Sequence, residues 1–266
     1  HALDDFLNVT DTPGDEGAIF ADLVQGVELE ALFLQQLQAE DDSATITVAG
    51  ETIAVEQATL TVTNTNDQGA GSLRQVITEA NQTTGADVIS FDSSLSGEVI
   101  TLSSGQLEIT DSLTINGLGS EQLTINGGGN SRVFSLDDGD SANEIDVSFS
   151  DFKITGGLTT GSSSGGGLVN SENLNLRNMK IIGNLADRDG GGIFNSGSIT
   201  MSNSTVSGNL AYDEGGGIYI SSSGSTTMSN STVSGNLAYD DGGGIFNNSS
   251  GSTTMSNSTV SGNLAY

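Results

Sequence analysis

One eleven-residue segment, SNSTVSGNLAY, occurs three times in the chain, at 202–212, 229–239 and 256–266. Each later copy begins 27 residues after the copy before it. Tandem repeats of this length are typical of chains that fold one small unit per repeat and bury its apolar face against the next unit. The repeat therefore favours a solenoid, built coil upon coil, over a globular fold with one central core.

A run of three glycines followed by an aliphatic residue recurs with a similar period. It occupies 165–168, 190–193, 215–218 and 242–245, at spacings of 25, 25 and 27 residues. Glycine lacks a Cβ, so it tolerates a positive φ and a close backbone approach. We predict that each run forms a turn of this kind.

Aligning the coils places apolar residues in four columns. The columns are Ile154/Ile181/Val206/Val233/Val260, Leu158/Leu185/Leu210/Leu237/Leu264, Leu168/Ile193/Ile218/Ile245 and Leu176/Met201/Met228/Met255. Within a coil, apolar residues recur two apart, which is the period of a strand. We predict an all-β fold: a right-handed parallel β-helix with four inward columns and three short strands per coil of about 25 residues. The regular coils begin near residue 150.

Asparagine forms two further columns in the same alignment. They are Asn178/Asn203/Asn230/Asn257 and Asn184/Asn209/Asn236/Asn263. Stacked amides can donate to and accept from one another between in-register strands. We therefore predict that both columns are hydrogen-bonded ladders along the solenoid.

The N-terminal part differs from the repeats. Residues 1–57 form a separate segment, in which 27–40 predicts an amphipathic helix and 44–55 a hairpin. In an assembly this segment could serve as a joint, a donor strand or a cap, and we assign 58–266 to the β-helix domain.

A short helix is predicted at 72–82, where the β-helix domain begins. Ser72 is placed as its N-cap and Gln75 as the second member of a capping box. Its apolar face consists of Leu73, Val76, Ile77 and Ala80. Because a solenoid needs a cover over its first coil, we predict that this helix is the cap.

The composition excludes several classes of partner. The chain carries 34 acidic and 6 basic residues, a formal charge of −28, and no cysteine. Nucleic-acid binding and anionic membranes both need a basic surface, so we expect neither. No run of 18 apolar residues is present, which argues against a membrane span. An acidic chain without cysteine, rich in Ser, Thr, Asn and Gly, suits a secreted bacterial protein.

Two stretches carry a family resemblance. LTVTNTNDQGAGSLRQVITEAN at 60–81, with ADVISF at 86–91, resembles the CSLREA-like module of bacterial surface proteins, and Ser72 stands where that module has its cysteine. GGGIFNSGSITMSNSTVSGN at 190–209 is similar to the coils that follow the module. The resemblance covers about 58–266. It implies a right-handed parallel β-helix in an exported, cyanobacterial-type surface protein, adhesin or matrix component.

Catalytic patterns are weak in this sequence. The coils after residue 150 hold only Lys153, Arg177, Lys180 and Arg188 as bases, and these do not gather in one column. We therefore predict that the chain is not an enzyme. The alternative is a polysaccharide lyase or hydrolase, or a sugar-binding adhesin. The tyrosine column of Tyr212, Tyr239 and Tyr266 fits sugar stacking and repeat-derived alignment equally well.

Stacked acids suggest a metal site. Asp189, Glu214 and Asp241 share one column, and Asp213 and Asp240 share the next with Arg188. Carboxylates one coil apart repel, so they either turn into solvent or hold Ca²⁺, which prefers oxygen ligands. A second candidate is the partial match to a calcium loop formed by Asp137, Asp138 and Asp140, which is equally an acidic turn. Calcium is the predicted cofactor.

The last repeat copy leaves a coil edge, and such edges recruit other strands. We expect either that the chain is part of a longer repetitive protein or that copies associate head to tail in a homopolymer. The predicted role is an extracellular structural protein, a subunit of a bacterial surface, matrix or filament assembly stabilised by calcium. Polysaccharide is the other expected partner.

Overall fold

The computed structural model describes residues 45–48, 51–54, 59–83, 85–140, 142 and 144–266. Two compact units are distinguished, His1–Glu56 and Gln57–Tyr266. In the first unit, β1 (Thr45–Val48) pairs antiparallel with β2 (Glu51–Ala54), which confirms the predicted hairpin. The helix predicted at 27–40 lies outside the described residues.

The second unit is a parallel β-solenoid. Its first elements are β3 (Thr59–Val62) and helix α1 (Leu73–Ala80). Three coils of three strands follow: β4 (Asp87–Phe91), β5 (Val99–Thr101), β6 (Leu107–Ile109), β7 (Leu113–Asn116), β8 (Thr124–Asn126), β9 (Phe134–Leu136), β10 (Asp146–Ser150), β11 (Lys153–Thr155) and β12 (Leu168–Asn170). A short 3-10 helix, Ser93–Leu95, lies between β4 and β5.

Later coils contain an additional strand of two residues. In chain order the strands are β13 (Asn173–Arg177), β14 (Lys180–Ile182), β15 (Leu185–Ala186), β16 (Ile193–Asn195), β17 (Ser198–Ser202), β18 (Thr205–Ser207), β19 (Leu210–Ala211), β20 (Ile218–Ile220), β21 (Ser225–Ser229), β22 (Thr232–Ser234), β23 (Leu237–Ala238), β24 (Ile245–Asn247), β25 (Ser252–Ser256), β26 (Thr259–Ser261) and β27 (Leu264–Ala265). The predicted three strands per coil are therefore correct only for the earlier coils.

Corresponding strands of successive coils pair in parallel and form four sheets. Sheet 1 runs β3-β4-β7-β10-β13-β17-β21-β25, sheet 2 runs β5-β8-β11-β14-β18-β22-β26, sheet 3 runs β6-β9-β12-β16-β20-β24 and sheet 4 runs β15-β19-β23-β27. The register places Val206 opposite Val233 and Met201 opposite Met228. The predicted fold class and the alignment of all four columns are confirmed.

The side chains of one predicted inward column face outward. Leu185, Leu210 and Leu237 are aligned, but they are only half-buried. Ala186 and Ala211, the second residues of their strands, are fully buried. Because successive side chains of a strand point to opposite faces, the inward column of sheet 4 is alanine and the leucines cover its outer face.

Helix α1 packs against β3, β4 and β6. The predicted apolar face, Leu73, Val76, Ile77 and Ala80, is buried. Ser72 is the N-cap, and its Oγ accepts from the Gln75 N–H at 3.2 Å. The reciprocal half of the capping box does not form, because the Ser72 N–H donates to the Gly69 carbonyl and the Gln75 amide to Glu79.

The glycine runs form tight turns, as predicted. The first glycine of each run has a positive φ, for example 66° at Gly190 and 67° at Gly215. The second packs against the next coil, and a Cβ added to Gly216 would lie 2.3 Å from the Leu237 carbonyl oxygen. Glycine is therefore required here for two reasons, backbone conformation and contact between coils.

Of the two predicted asparagine columns, one is a ladder of amides. The Asn209 Nδ2 donates to the Asn236 Oδ1 at 2.9 Å, and Asn184 and Asn236 bond in the same way to the next coil. The prediction for the Asn203 column is wrong: its members have a positive φ, 49° at Asn203, and this residue is exposed. Asparagine suits that turn because it tolerates the left-handed conformation.

Candidate functional site

The predicted acidic columns lie on the turns that lead into sheet 3. The Gly190 N–H donates to the Glu214 carbonyl at 2.9 Å, and the Gly215 N–H donates to the Asp241 carbonyl at 3.0 Å. Asp189 precedes Gly190 in the same turn one coil earlier. Asp189, Glu214 and Asp241 are therefore stacked, as the repeat alignment predicts.

The neighbouring column is stacked in the same way. The Asp213 N–H donates to the Arg188 carbonyl and the Asp240 N–H to the Asp213 carbonyl, both at 3.1 Å. The Arg188 Nε lies 3.3 Å from an oxygen of Asp189 and 3.9 Å from one of Asp213. No basic residue follows Arg188 in the sequence, so the acids of the next coils have no such partner in the chain.

Burial changes the pKa of two carboxyl groups in this column, Asp189 and Glu214. Asp189 is 5% exposed, and burial raises its pKa against the opposing effects of the Glu214 N–H and Arg188. Burial also raises the pKa of Glu214, and the charges of Asp189 and Asp241 add to the effect. Asp189 and Glu214 therefore bind protons more readily than free carboxyl groups do.

The second predicted site, the loop of Asp137, Asp138 and Asp140, is tied to its own backbone. Their Oδ1 atoms accept from the N–H groups of Gly139, Asp140 and Ala142 at 2.9, 2.7 and 3.0 Å. Such bonds from a side chain to the backbone two residues on define Asx turns. One oxygen of each carboxylate therefore stabilises the turn.

Glu172 belongs to this site and was not predicted. It is buried, and its two carboxylate oxygens accept from the N–H groups of Asp138 and Ile145, each at 3.0 Å. Burial raises the pKa of Glu172, and the negative charges of Asp138 and Glu144 raise it further, whereas the two backbone hydrogen bonds lower it. Glu172 occupies the position that Gly197 has in the next coil. A single acid at a position that is glycine in the following coils is the sequence feature that could have indicated this site.

Within the described residues, one group of acids offers three ligand atoms within 4.8 Å of one another. It consists of Asp137, Asp138 and Glu172. An adjoining cavity of about 520 Å³ is lined by Asp137, Gly139, Asp140, Glu144, Ser171, Glu172, Ser196 and Ser223. The geometry brings Asp137 and Asp138 together with Glu172, and it does not join them to the Asp189 column. Calcium binding at either place stays a prediction.

The tyrosine column is a face-to-face stack. The ring centroids of Tyr212 and Tyr239 lie 5.3 Å apart at 8°, and those of Tyr239 and Tyr266 lie 5.8 Å apart at 23°. Tyr212 and Tyr239 are nevertheless 49% and 47% exposed. The stack follows from the in-register coils, and a role in sugar binding stays a prediction.

Comparison with family models, curated proteins and solved structures finds no match to this chain. In the described part of the chain, no helix has the length and apolar character to cross a membrane. The fold and the two acidic sites are therefore interpreted from their own geometry.

Proposed function

We propose that this chain is an extracellular structural protein, a β-solenoid subunit of a bacterial surface, matrix or filament assembly. The observation that carries the proposal is the repetition of whole coils. Residues 225–239 and 252–266 are identical, and their strands pair in register. Identical coils present complementary faces to one another, so the stack can be extended by any coil of the same pattern.

We further propose that copies associate head to tail. The coil formed by β25, β26 and β27 exposes Met255, Val260 and Leu264 by 50%, 44% and 49%. Their counterparts one coil earlier include Met228 and Val233, which are fully buried. Apolar side chains and strand edges of this kind pair with a further coil, either of a longer repetitive chain or of a second copy. A heterologous contact of this type produces a filament when the rotation does not close.

The opposite end of the solenoid differs from a bare coil, because α1 packs against β3, β4 and β6. We propose, from the sequence alone, that residues 1–57 of the second copy form the joint. The stacked acids on the sides of the coils repel one another, and Ca²⁺ would reduce this repulsion by taking carboxylate oxygens as ligands.

Negative-stain electron microscopy and sedimentation of the full chain test this proposal. We expect filaments or concentration-dependent oligomers, more abundant with Ca²⁺ than with EDTA. Val260→Asp should abolish association by placing a charge on the exposed coil, whereas Thr227→Asp, which adds the same charge to the side of the preceding coil, should not. Monomers in every condition would exclude the assembly.

A further inference from the structure

A small cavity lies where the loops between sheet 2 and sheet 3 meet in the first three coils. Its volume is about 220 Å³. It is lined by Gln106, Asn130, Ser131, Arg132, Leu158, Thr159, Thr160 and Ser163. The lining contains amides, hydroxyls and one guanidinium, but no carboxylate. It differs in this respect from the same corner of the later coils, which carries the Asp189 column.

Arg132 is the unusual residue of this cavity. Four of the six basic residues of the chain form ion pairs: Arg74 with Asp67, Arg177 with Asp151, Lys180 with Glu121 and Arg188 with Asp189 and Asp213. Within the described residues, Arg132 has no carboxylate oxygen within 4.0 Å, although its side chain is half-buried. A partly buried charge without an ion-pair partner is costly, and an anion in the cavity would offset that cost.

The contacts of the guanidinium leave it incompletely satisfied. Its Nη2 donates to the Ser164 carbonyl at 2.8 Å, which fixes the plane of the group. Its Nε is buried and has no hydrogen-bond partner among the residues that the structure describes. Burial lowers the pKa of Arg132, and the charge of Glu108 opposes this change. The group is thus held in place at the wall of the cavity, with donor capacity remaining.

The opposite wall is also held in place. The Thr159 Oγ1 donates to the Ser163 carbonyl at 2.7 Å, and the Ser162 N–H donates to an Asp187 carboxylate oxygen at 2.7 Å. Ser162 has a φ of 65°, a conformation that is unfavourable for serine and persists only when its surroundings enforce it. The loop that carries Thr160 and Ser163 is therefore ordered before a ligand arrives, which reduces the entropic cost of binding.

We propose that this cavity binds the carboxylate of a sugar acid, with Arg132 as the ligand of the carboxylate. Arginine pairs with a carboxylate through parallel hydrogen bonds. The surrounding amides and hydroxyls match the hydroxyl groups of a sugar ring, and Leu158 provides an apolar contact. One guanidinium balances one negative charge, whereas the net charge of −28 disfavours doubly charged phosphate or sulfate. This site does not depend on the proposed assembly.

NMR titration of the full chain with sodium glucuronate tests the proposal. We expect saturable shifts of the amide signals of 159–163 and of the Arg132 side chain, with an affinity in about the millimolar range for so small a ligand. Glucose lacks the carboxylate and acetate lacks the hydroxyls, so each should bind at least about tenfold more weakly. Equal binding of acetate, stronger binding of inorganic phosphate, or no shift with glucuronate would each overturn the proposal.

Two variants that remove one positive charge each distinguish binding in the cavity from an effect of the overall charge of the protein. Arg132→Gln should weaken glucuronate binding at least about tenfold, since it removes a charged hydrogen bond. Lys153→Gln removes the same charge from β11, outside the cavity, and should leave the affinity unchanged. Thr160→Val retains the guanidinium, and we expect it to weaken glucuronate without changing the response to acetate. An equal loss in Lys153→Gln would show that only the overall charge matters.

Discussion

At the scale of single residues, the buried asparagine column is the clearest polar contribution to the fold. The Asn209 Oδ1 accepts from both the backbone N–H and the Nδ2 of Asn184, each at 3.0 Å. Its Nδ2 donates to the Ile181 carbonyl and to the Asn236 Oδ1, each at 2.9 Å. One buried amide thus satisfies groups in three successive coils.

Asn209→Ala is expected to destabilise the chain. It leaves the N–H and amide of Asn184 without their acceptor, and each buried unsatisfied group costs about 1–3 kcal/mol. We expect a total loss of about 3 kcal/mol in the free energy of unfolding, measured by chemical denaturation. Asn175→Ala, on the exposed face of β13, is the matched control and should change stability by no more than about 0.5 kcal/mol. Equal effects would contradict the ladder.

The half-buried Asp67 and the buried Asp189 should respond to pH with opposite sign. Burial opposes ionisation of Asp67, but bonds from Ser104, Arg74 and Ser103 outweigh it and hold its pKa well below the usual range. Its contribution to stability is therefore present above the unfolded-state pKa and is lost as the pH falls through the folded-state value. Asp67→Asn should cost about 2–3 kcal/mol at neutral pH, and this cost should decrease progressively as the pH falls below the unfolded-state pKa.

Asp189 behaves in the opposite way, because burial raises its pKa. Its protonated form favours the fold below the unfolded-state pKa, and this contribution is lost as the pH rises through the folded-state value. Relative to the parent chain, Asp189→Asn should therefore gain stability, by about 1 kcal/mol, between mildly acidic and neutral pH. Denaturation curves at several pH values measure both variants. If the difference in stability between Asp189→Asn and the parent chain does not grow with pH, the raised pKa of Asp189 is contradicted.

At the scale of elements, the turn before each sheet 3 strand depends on glycine. The Gly216 Cα faces the Leu237 carbonyl, and a Cβ would lie 2.3 Å from its oxygen. Gly216→Ala should therefore force adjacent coils apart and cost about 2–3 kcal/mol. Gly208, with a φ of 62° and open space at its Cβ position, is the contrasting site. Gly208→Asn should be nearly neutral by thermal denaturation, and equal losses in both variants would show that contact between coils is not the cause.

The elements were predictable where the period of the sequence determines them. Repeat spacing was sufficient to align Val206 with Val233, and helix α1 followed from its apolar face. The repeat could not distinguish Asn203 from Asn209, because both recur with the same spacing and only the backbone conformation separates a turn from a buried ladder. It also placed Leu210 inward, since a leucine column resembles a core even where alanine occupies the inner face.

The repeat period predicts one of the two acidic sites fully and the other only in part. The stacking of Asp189, Glu214 and Asp241 follows from the period alone. Glu172 joins Asp138 from 34 residues away, through a buried carboxylate that accepts backbone N–H groups from a loop. No local pattern reports such a contact. Only the replacement of a glycine column by one acid indicated that this position is special.

At the scale of the molecule, each coil contacts mainly its neighbours, so stability accumulates along the axis and not around one centre. The apolar columns and the Asn209 ladder supply that stability. A stack of coils with repeated sides supports the proposed structural role. The whole account requires that residues 25 to 27 apart are vertical neighbours.

Disulfide formation between engineered cysteines tests that requirement most directly, since the chain contains no cysteine of its own. Thr200 and Thr227 are exposed register partners on β17 and β21. Their Cα atoms should lie about 4.8 Å apart, within the range of about 4.4–6.8 Å that a disulfide spans. We expect Thr200→Cys with Thr227→Cys to link on oxidation, and Thr200→Cys with Thr254→Cys, two coils apart, to remain reduced. A link in the second pair and none in the first would contradict the stacked-coil structure.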